Sequence, residues 1–205
     1  MGNDTLSLFI VFEGIDGSGK TTQAELLAEK LTSIQQSNII IREPGGTPLG
    51  ESIRKELKSN PNLDPVTQLF LFSACRTELV KDVINPNLEE GHIVICDRYI
   101  FSTIAYQGHA EGLNIEYIEN MIDLSTRGLK PDIVIFIDTP VEIARKRREN
   151  ETNDYYDQKD IDYYVRTREG YISMASASVN WVTHDGSKEP NELAKSIWEQ
   201  IKPLI

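Results

Sequence analysis

A glycine-rich segment, residues 14–21 (GIDGSGKT), joins an apolar run to a helical pattern near the start of the chain. The run, residues 6–12 (LSLFIVF), is short and almost entirely apolar, as a strand buried on both faces of a sheet requires. After the segment, apolar residues recur at helical spacing: Ala24, Leu27, Ala28 and Leu31. The segment fits the pattern G-x-x-x-x-G-K-[ST], whose glycines allow a tight loop with backbone N–H groups turned inward on an anion. Strand, loop and helix in this order predict a phosphate-binding loop at the edge of an α/β sheet.

The rest of the chain continues the alternation of strands and helices. Four more short apolar runs predict strands at residues 38–41, 92–96, 133–137 and 180–183. Between and after them lie helical patterns: one from Asp64-Pro65 to a bend or end at Pro86, one opening with a capping box at residues 139–142 (TPVE), one over residues 160–178, and one after Pro190. Strands separated by helices predict an α/β fold, a five-stranded parallel sheet flanked by helices on both faces. No break in composition divides the chain, so we expect residues 1–205 to form a single domain.

Charge and composition exclude several classes of function. Lys and Arg number 21 against 32 Asp and Glu, so the net charge is −11, and we expect no general binding to nucleic acid. The apolar runs are too short to span a membrane, and the first residues do not resemble a signal peptide. The two cysteines, Cys75 and Cys96, match neither a disulfide framework nor a metal site. These features predict a cytoplasmic protein.

Lys20 and Thr21 carry the chemistry of the glycine-rich segment. We expect Lys20 to reach the β- and γ-phosphates of a nucleoside triphosphate and the Thr21 hydroxyl to hold Mg²⁺. The residues expected around the donor nucleotide are Gly14, Asp16, Gly17, Ser18, Gly19, Lys20, Thr21 and Thr22. A plain glycine turn is the alternative, and the lysine, the threonine and both flanks disfavour it. The motif alone does not specify the acceptor.

Other motifs resemble those of thymidylate kinases and follow the same order along the chain. They are FEGID (residues 12–16), REPGGT (42–47), FSACR (72–76) and VICDRYIFSTIAYQ (94–107). The resemblance runs from about residue 9 to residue 171. It implies the P-loop NTPase fold with a lid at about residues 147–158. It also implies transfer of the γ-phosphoryl group of ATP to dTMP, Mg²⁺ as the only cofactor, ATP and dTMP as small-molecule partners, and a homodimer.

The resemblance also implies a dTMP site. Its expected residues are Asp16, Arg42, Pro44, Phe72, Arg76, Arg98, Ser102, Thr103, Tyr106 and Gln107. Arg42 would clamp the dTMP phosphate; a surface arginine at a strand end is the alternative. Phe72 and Arg76, spaced i and i+4 on one helix face, would stack on thymine and donate to one of its carbonyl oxygens. For this pair, the alternative is a core phenylalanine with a solvated arginine.

The remaining roles follow from the same family match. Asp97 would act near Thr21 and Mg²⁺, and Arg98 would bridge the donor and acceptor phosphates; a structural ion pair is the alternative. Asp16 would accept from the sugar 3′-hydroxyl, Thr103 would meet the base near N3, and Tyr106 would crowd the 2′ position and so favour deoxyribose. Gln107 would complete the pocket wall. Plain helix positions without a ligand are the alternative for Thr103, Tyr106 and Gln107.

The chain departs from the family in the arginine that acts on the transferred group. Thymidylate kinases supply it from the P-loop or from the lid, and this sequence has Gly17 and Tyr155 at those two positions. The nearest cations form a basic run at residues 145–148 (RKRR). Arg147 best matches the arginine that packs on adenine, and we take Arg148 as the catalytic lid cation. A basic helix C-terminus favoured by the helix dipole is the alternative for either.

Two other functions fit a P-loop protein. A deoxynucleoside kinase, or another P-loop kinase, would share the donor site but use a different acceptor; Arg42, placed for a phosphate, favours a monophosphate. A GTP-dependent switch protein would need a guanine-binding motif of the Asn-Lys-x-Asp kind, which this sequence lacks.

Overall fold

The computed structural model describes residues 7–60, 62–149 and 159–205. Its five strands form one parallel sheet in the order β2-β3-β1-β4-β5. The strands are β1 (Leu8–Glu13), β2 (Asn38–Arg42), β3 (Ile93–Asp97), β4 (Ile133–Asp138) and β5 (Trp181–Asp185). All four pairings are parallel. The predicted five-stranded parallel sheet is therefore confirmed.

Helices and helical turns connect the strands. The α-helices are α1 (Lys20–Ser33), α2 (Pro48–Ser59), α3 (Pro65–Leu79), α4 (Asn85–Glu89), α5 (Ile100–Thr103), α6 (Ile115–Thr126), α7 (Val141–Arg148), α8 (Ile161–Ala177) and α9 (Pro190–Ile201). Two π-helical segments, Val80–Ile84 and Ile104–Ala110, continue α3 and α5, and a 3₁₀ turn, Lys202–Leu204, follows α9. Because the first π segment leads into α4, the backbone stays helical through Pro86 as far as Glu89.

Alternation along β1 assigns its side chains to two apolar cores. Ile10 and Phe12 pack with residues of α1 and α9 on one face of the sheet. Phe9 and Val11 pack with residues of α3 and α6 on the other face. Every residue of β1 is buried, as the continuous apolar run predicts. Helices therefore cover both faces of the sheet. None of the helices within the described ranges is both long and apolar enough to cross a membrane.

The predicted capping box at the start of α7 is wrong. Pro140 occupies the N-cap position, and no side chain caps the helix there. The Thr139 hydroxyl instead donates a hydrogen bond to the Ser18 carbonyl oxygen at 3.2 Å. The Thr139 hydroxyl therefore makes a tertiary contact instead of capping α7. This contact connects the end of β4 to the loop before α1.

The register of the sheet brings the ends of β1 and β3 together. Phe12 lies opposite Asp97, and the Arg98 N–H donates to the Phe12 carbonyl oxygen at 3.0 Å. The glycine-rich loop follows β1 directly, and the Asp97-Arg98 pair ends β3. Ligands of open α/β sheets bind outside the carboxyl ends of the strands, so this edge is where a site is expected.

Candidate active site

The P-loop between β1 and α1 depends on its glycines. Gly14, Gly17 and Gly19 have φ values of 147°, 80° and 100°, which side-chain-bearing residues rarely adopt. α7 packs against the middle of the loop, so a Cβ atom at Gly17 would lie 2.3 Å from the Ala144 carbonyl oxygen. Position 17 thus has no room for any side chain. An arginine at this position would therefore require α7 to move away from the loop.

Lys20 begins α1 and folds back across the loop. Its ammonium donates to the Ile15 carbonyl oxygen at 2.9 Å. Burial, together with the nearby Arg98 guanidinium, lowers the pKa of Lys20 to about 8. The α1 N-terminus and the Lys20 charge thus face the same cleft, as an anion site requires.

Thr21 and Asp97 meet beside Lys20. The Thr21 hydroxyl donates to Asp97 Oδ2 at 2.5 Å. Asp97 Oδ1 is buried and has no hydrogen-bond partner among the described residues. Two hard oxygen donors with one orphaned carboxylate oxygen fit Mg²⁺. Among the described residues no group of three or more His, Cys, Asp or Glu side chains could hold a metal ion, so the remaining ligands would be nucleotide oxygens and water.

Arg98 lies at the centre of the site. Its backbone has φ +72°, uncommon for a residue with a side chain. Its guanidinium donates to Asp16 Oδ1 at 2.6 Å and to the Gly14 carbonyl oxygen at 3.0 Å, and it lies 5.1 Å from the centre of the Tyr106 ring. Although burial alone would raise the pKa of Asp16, the Arg98 and Lys20 charges hold it well below its usual range. The P-loop and the end of β3 are therefore joined by a partly buried ion pair.

A cavity opens beside Arg98. Its volume is about 130 Å³, and it is open to solvent on one side. Its walls are formed by Asp16, Glu43, Pro44, Arg54, Leu57, Lys58, Phe72, Arg76, Arg98, Tyr99, Ser102, Thr103, Tyr106 and Gln107. The structure thus brings together in one cavity every residue predicted for the dTMP site except Arg42.

Arg76 forms the floor of this cavity. It is buried in an ion pair with Glu43, whose Oε2 lies 3.1 Å from Arg76 Nε. Its Nη2 donates to the Thr103 hydroxyl at 2.8 Å, while Nη1 is buried without a partner among the described residues. Burial raises the pKa of Glu43, and the Arg76 charge opposes that rise. Phe72, one helical turn away and half-buried, forms the adjacent wall, so an apolar face and an unused donor lie side by side.

Arg42 lies outside the cavity. Its guanidinium pairs with the Glu51 carboxylate of α2 at 3.0 Å, and both side chains are about half exposed. The cavity instead contains two cations that sequence reasoning missed, Arg54 and Lys58, together with Leu57. Arg54 donates to the Pro44 carbonyl oxygen at 3.0 Å. These residues share one face of α2, a helix that the Thr47-Pro48 start signal could have indicated, since the Thr47 hydroxyl accepts from the Gly50 N–H.

A second cleft runs along the P-loop and opens into the cavity. It is lined by Gly17, Gly19, Lys20, Thr21 and Thr22, together with Arg42, Asp97, Arg147 and Arg148. The residues that line both spaces are Asp16, Glu43, Arg54, Lys58 and Arg98. Two ligands can therefore occupy the two spaces with their ends meeting at Arg98.

The two candidate lid arginines both line this cleft but lie near different parts of the P-loop, Arg148 near Gly17 and Arg147 near Gly19. Arg148, at the end of α7, is buried, and its Cγ atom would lie 3.0 Å from a Cβ at Gly17. Arg147 is exposed, and its Nη1 lies 3.4 Å from the Ser18 carbonyl oxygen, beside a hollow that Thr22 and Gly186 also line. Tyr155 and the rest of the predicted lid at residues 150–158 lie outside the described residues.

The chain is similar over nearly its whole length to known proteins. A family model described as thymidylate kinase matches residues 12–197. The thymidylate kinase of Thermomicrobium roseum is 42% identical over 203 residues, covering 98% of this chain and 97% of that protein. That of Thermosipho melanesiensis is 41% identical over 198 residues, 97% of each chain. The crystal structure of thymidylate kinase from Ehrlichia chaffeensis aligns with a TM-score of 0.81 at 35% identity, covering 96% of this chain and 99% of that one. As its motifs predict, the chain belongs to the thymidylate kinase family, the ATP-dependent kinases that phosphorylate dTMP.

Proposed function

We propose that the P-loop cleft binds ATP, that the adjoining cavity binds dTMP, and that the γ-phosphoryl group passes between them beside Arg98. The observation that carries this proposal is the lining common to both spaces, with Arg98 and Asp16 at its centre. The described residues provide an anion site in the P-loop cleft. In the adjoining cavity they provide the apolar wall of Phe72 and the buried hydrogen-bond donor of Arg76. The proposal treats residues 1–205 as one kinase domain.

On the donor side, the P-loop amides and Lys20 hold the β- and γ-phosphates, and Arg147 packs near the adenine. Thr21 and Asp97 hold Mg²⁺ with the nucleotide. When bound, Mg²⁺ neutralises charge on the phosphate oxygens. The hydrogen bond between Thr21 and Asp97 supports this role, because it aims the two side chains at one point.

On the acceptor side, the thymine ring stacks on Phe72 and accepts from Arg76, whose Nη1 is otherwise without a partner in the described part of the chain. Thr103 and Gln107 lie along the base edge, with Pro44 opposite. Asp16 accepts from the 3′-hydroxyl of the sugar, and the Tyr106 ring fills the space of a 2′-hydroxyl. These roles stay predictions, and the cavity lining supports them.

The acceptor phosphate lies between Arg98 and Arg54, since both residues line both spaces. The clamp by Arg42 stays a prediction; Arg42 and its partner Glu51 both line the P-loop cleft. A phosphate with a second pKa near 6 is largely ionised at neutral pH, so the attacking oxygen needs no general base. Catalysis is therefore a matter of holding two anions in line and stabilising the charge between them. Lys20, Arg98 and Arg148 do this.

We further propose a cytoplasmic homodimer. α3 and α6 are in contact and both carry exposed apolar side chains, among them Val66 and Phe70 on α3 and Tyr117 and Leu124 on α6. Exposed apolar side chains on two adjoining helices favour a protein interface over open solvent. Both cysteines are free and buried, which suits a reducing compartment. Light scattering of the wild type and of Phe70→Glu tests the dimer: a wild-type dimer that Phe70→Glu dissociates is expected, and a monomeric wild type contradicts it.

The experiment that tests the main proposal is ADP release from ATP with dTMP, dUMP, dCMP, dGMP and thymidine in parallel. The cavity predicts the highest kcat/KM for dTMP. Equal rates with the other monophosphates would contradict the base pocket. Preference for thymidine would favour a deoxynucleoside kinase, because the acceptor phosphate would then contribute nothing to binding.

A further inference from the structure

Glu13 is a buried acid that none of the roles above uses. It is the last residue of β1, the central strand, and its exposed fraction is 0%. A carboxylate removed from water is costly unless hydrogen bonds or opposite charges compensate. The contacts of Glu13 therefore indicate why a charged residue ends this strand.

Four hydrogen bonds converge on the Glu13 carboxylate. Its Oε1 accepts from two backbone N–H groups, those of Tyr99 at 2.9 Å and Ser102 at 3.2 Å. Its Oε2 accepts from two hydroxyls, those of Ser102 at 2.7 Å and Tyr171 at 3.0 Å. Burial raises the pKa of Glu13, and the Arg98 charge and these hydrogen bonds act against that rise. The carboxylate thus joins three elements, β1, α5 and α8.

The same two hydroxyls also face Arg98. Arg98 Nη1 donates to the Ser102 hydroxyl at 2.9 Å and to the Tyr171 hydroxyl at 3.2 Å. A guanidinium can only donate, and each hydroxyl has a single proton. When both protons point to Glu13, both hydroxyls turn lone pairs towards Arg98. The two hydroxyls also lie 2.8 Å apart, where either can donate to the other. The negative charge of Glu13 favours the arrangement in which both hydroxyls donate to the carboxylate and accept from Arg98.

We infer that Glu13 is a positioning residue for Arg98, which it orients through the Ser102 and Tyr171 hydroxyls. The inference rests on the proposed function, which places Arg98 between the two phosphates. One edge of the guanidinium is held by this cluster, and the other edge is held by Asp16. Ser102, predicted to contact dTMP, thus also acts as one of the two links to Arg98.

Glu13→Gln tests the inference with almost no change of shape. The amide nitrogen that replaces one carboxylate oxygen is a donor, so it conflicts with the donors already aimed at that position and turns a hydroxyl proton towards Arg98. We expect kcat to fall about 10- to 100-fold, as for other groups that orient a functional side chain. The KM values for ATP and dTMP should change by less than about 3-fold, because no ligand contact is removed.

Tyr171→Phe removes one of the two links and has a matched control. Thr167 lies one turn earlier on α8, is fully buried, and donates its hydroxyl to the Tyr163 carbonyl oxygen at 2.8 Å. Thr167→Val therefore removes a buried hydroxyl from the same helix without touching Arg98. We expect Tyr171→Phe to lower kcat and Thr167→Val to leave it unchanged, with circular dichroism confirming that both fold. Equal kcat values for the two variants would overturn the inference, even if Glu13→Gln fails to fold.

A double-mutant cycle separates this inference from the proposed function. If Glu13 acts through Arg98, Glu13→Gln should cost little further kcat in an Arg98→Ala background. Full loss from Glu13→Gln in both backgrounds would overturn the positioning role and leave the function of Arg98 intact. An Arg98→Ala variant with wild-type kcat would instead overturn the proposed role of Arg98.

Discussion

The Asp16 carboxylate accepts a hydrogen bond from the Arg98 guanidinium at 2.6 Å, which joins the P-loop to the end of β3. The pair lies where the P-loop cleft opens into the adjoining cavity. The Tyr106 hydroxyl reaches both members, donating to Asp16 Oδ2 at 2.9 Å and accepting from Arg98 at 3.2 Å. The side chains that the two nucleotides would contact are therefore held in place by hydrogen bonds to one another before either nucleotide binds.

Asp16→Asn should weaken the binding of dTMP more than the binding of ATP, because the carboxylate is the proposed acceptor for the sugar 3′-hydroxyl. We expect kcat/KM for dTMP to fall about 10-fold or more, as for loss of a charge-assisted hydrogen bond. The matched substrate is 3′-deoxy-TMP, which lacks the hydroxyl. If kcat/KM falls by the same factor from dTMP to 3′-deoxy-TMP in the wild type and in Asp16→Asn, the assignment is contradicted.

Deprotonation of Lys20 should lower the activity of the enzyme at alkaline pH. The pKa of Lys20 in the unliganded protein is lowered to about 8, so its charged fraction falls as the pH rises through that value. We expect kcat/KM for ATP to decline above about pH 8, while kcat persists to higher pH because bound phosphates favour the charged form. A profile of kcat/KM that stays flat to pH 10 would contradict this role.

The lowered pKa of Lys20 also affects the stability of the unliganded protein. Because the folded-state pKa lies below the unfolded value of about 10.4, charged Lys20 destabilises the unliganded fold below about pH 8, and this cost disappears as the pH rises towards 10.4. Lys20→Met should therefore abolish phosphoryl transfer while raising Tm at pH 7. A variant with lower Tm and retained activity would contradict both statements.

The sequence predicts the sheet and the P-loop well because both depend on local patterns. Continuous apolar runs at residues 6–12 and 133–137 correspond to β1 and β4. α2 was not predicted: its three apolar residues at helical spacing, Leu49, Ile53 and Leu57, lie among charged residues, and only Gly50 of the helix is buried. Arg54 and Lys58 were missed with it.

The contacts that the sequence did not predict are formed between residues from different elements of the fold. Arg42 pairs with Glu51 of α2 outside the cavity, a contact that the sequence did not predict, and its clamp on the dTMP phosphate stays a prediction. The Thr139 hydroxyl fits a capping motif, but Ser18 lies within reach across the sheet end. The partners of Glu13 come from residues 86 to 158 positions away in the chain. No local pattern contains such distant contacts.

Arg76 should have separable structural and binding roles. Arg76→Ala leaves Glu43 buried without its partner, and loss of one member of a buried pair costs about 3–5 kcal/mol. Replacing both residues by methionine removes the stranded charge, so the free energy of unfolding should recover. The KM for dTMP should stay high in the double variant, with the KM for ATP near wild type. Equal increases in both KM values would remove Arg76 from the base pocket.

Arg147 and Arg148 should affect different kinetic constants. Arg147→Ala should raise the KM for ATP, because its side chain lies at the outer hollow of the P-loop. Arg148→Ala should lower kcat, by about 10³-fold if it acts as arginine fingers do in other phosphoryl transfers. Arg145→Ala, an exposed arginine on the same helix, is the control and should leave kcat unchanged. If all three variants retain wild-type kcat, the catalytic cation is not on α7.

A crystal structure of the enzyme with dTMP, Mg²⁺ and a non-hydrolysable ATP analogue tests the central claim most directly. The account predicts thymine stacked on Phe72 within hydrogen-bond distance of Arg76, and Arg98 between the γ-phosphate and the dTMP phosphate. Thymine bound outside the cavity that Phe72 and Arg76 line, or Arg98 turned away from both phosphates, would contradict it.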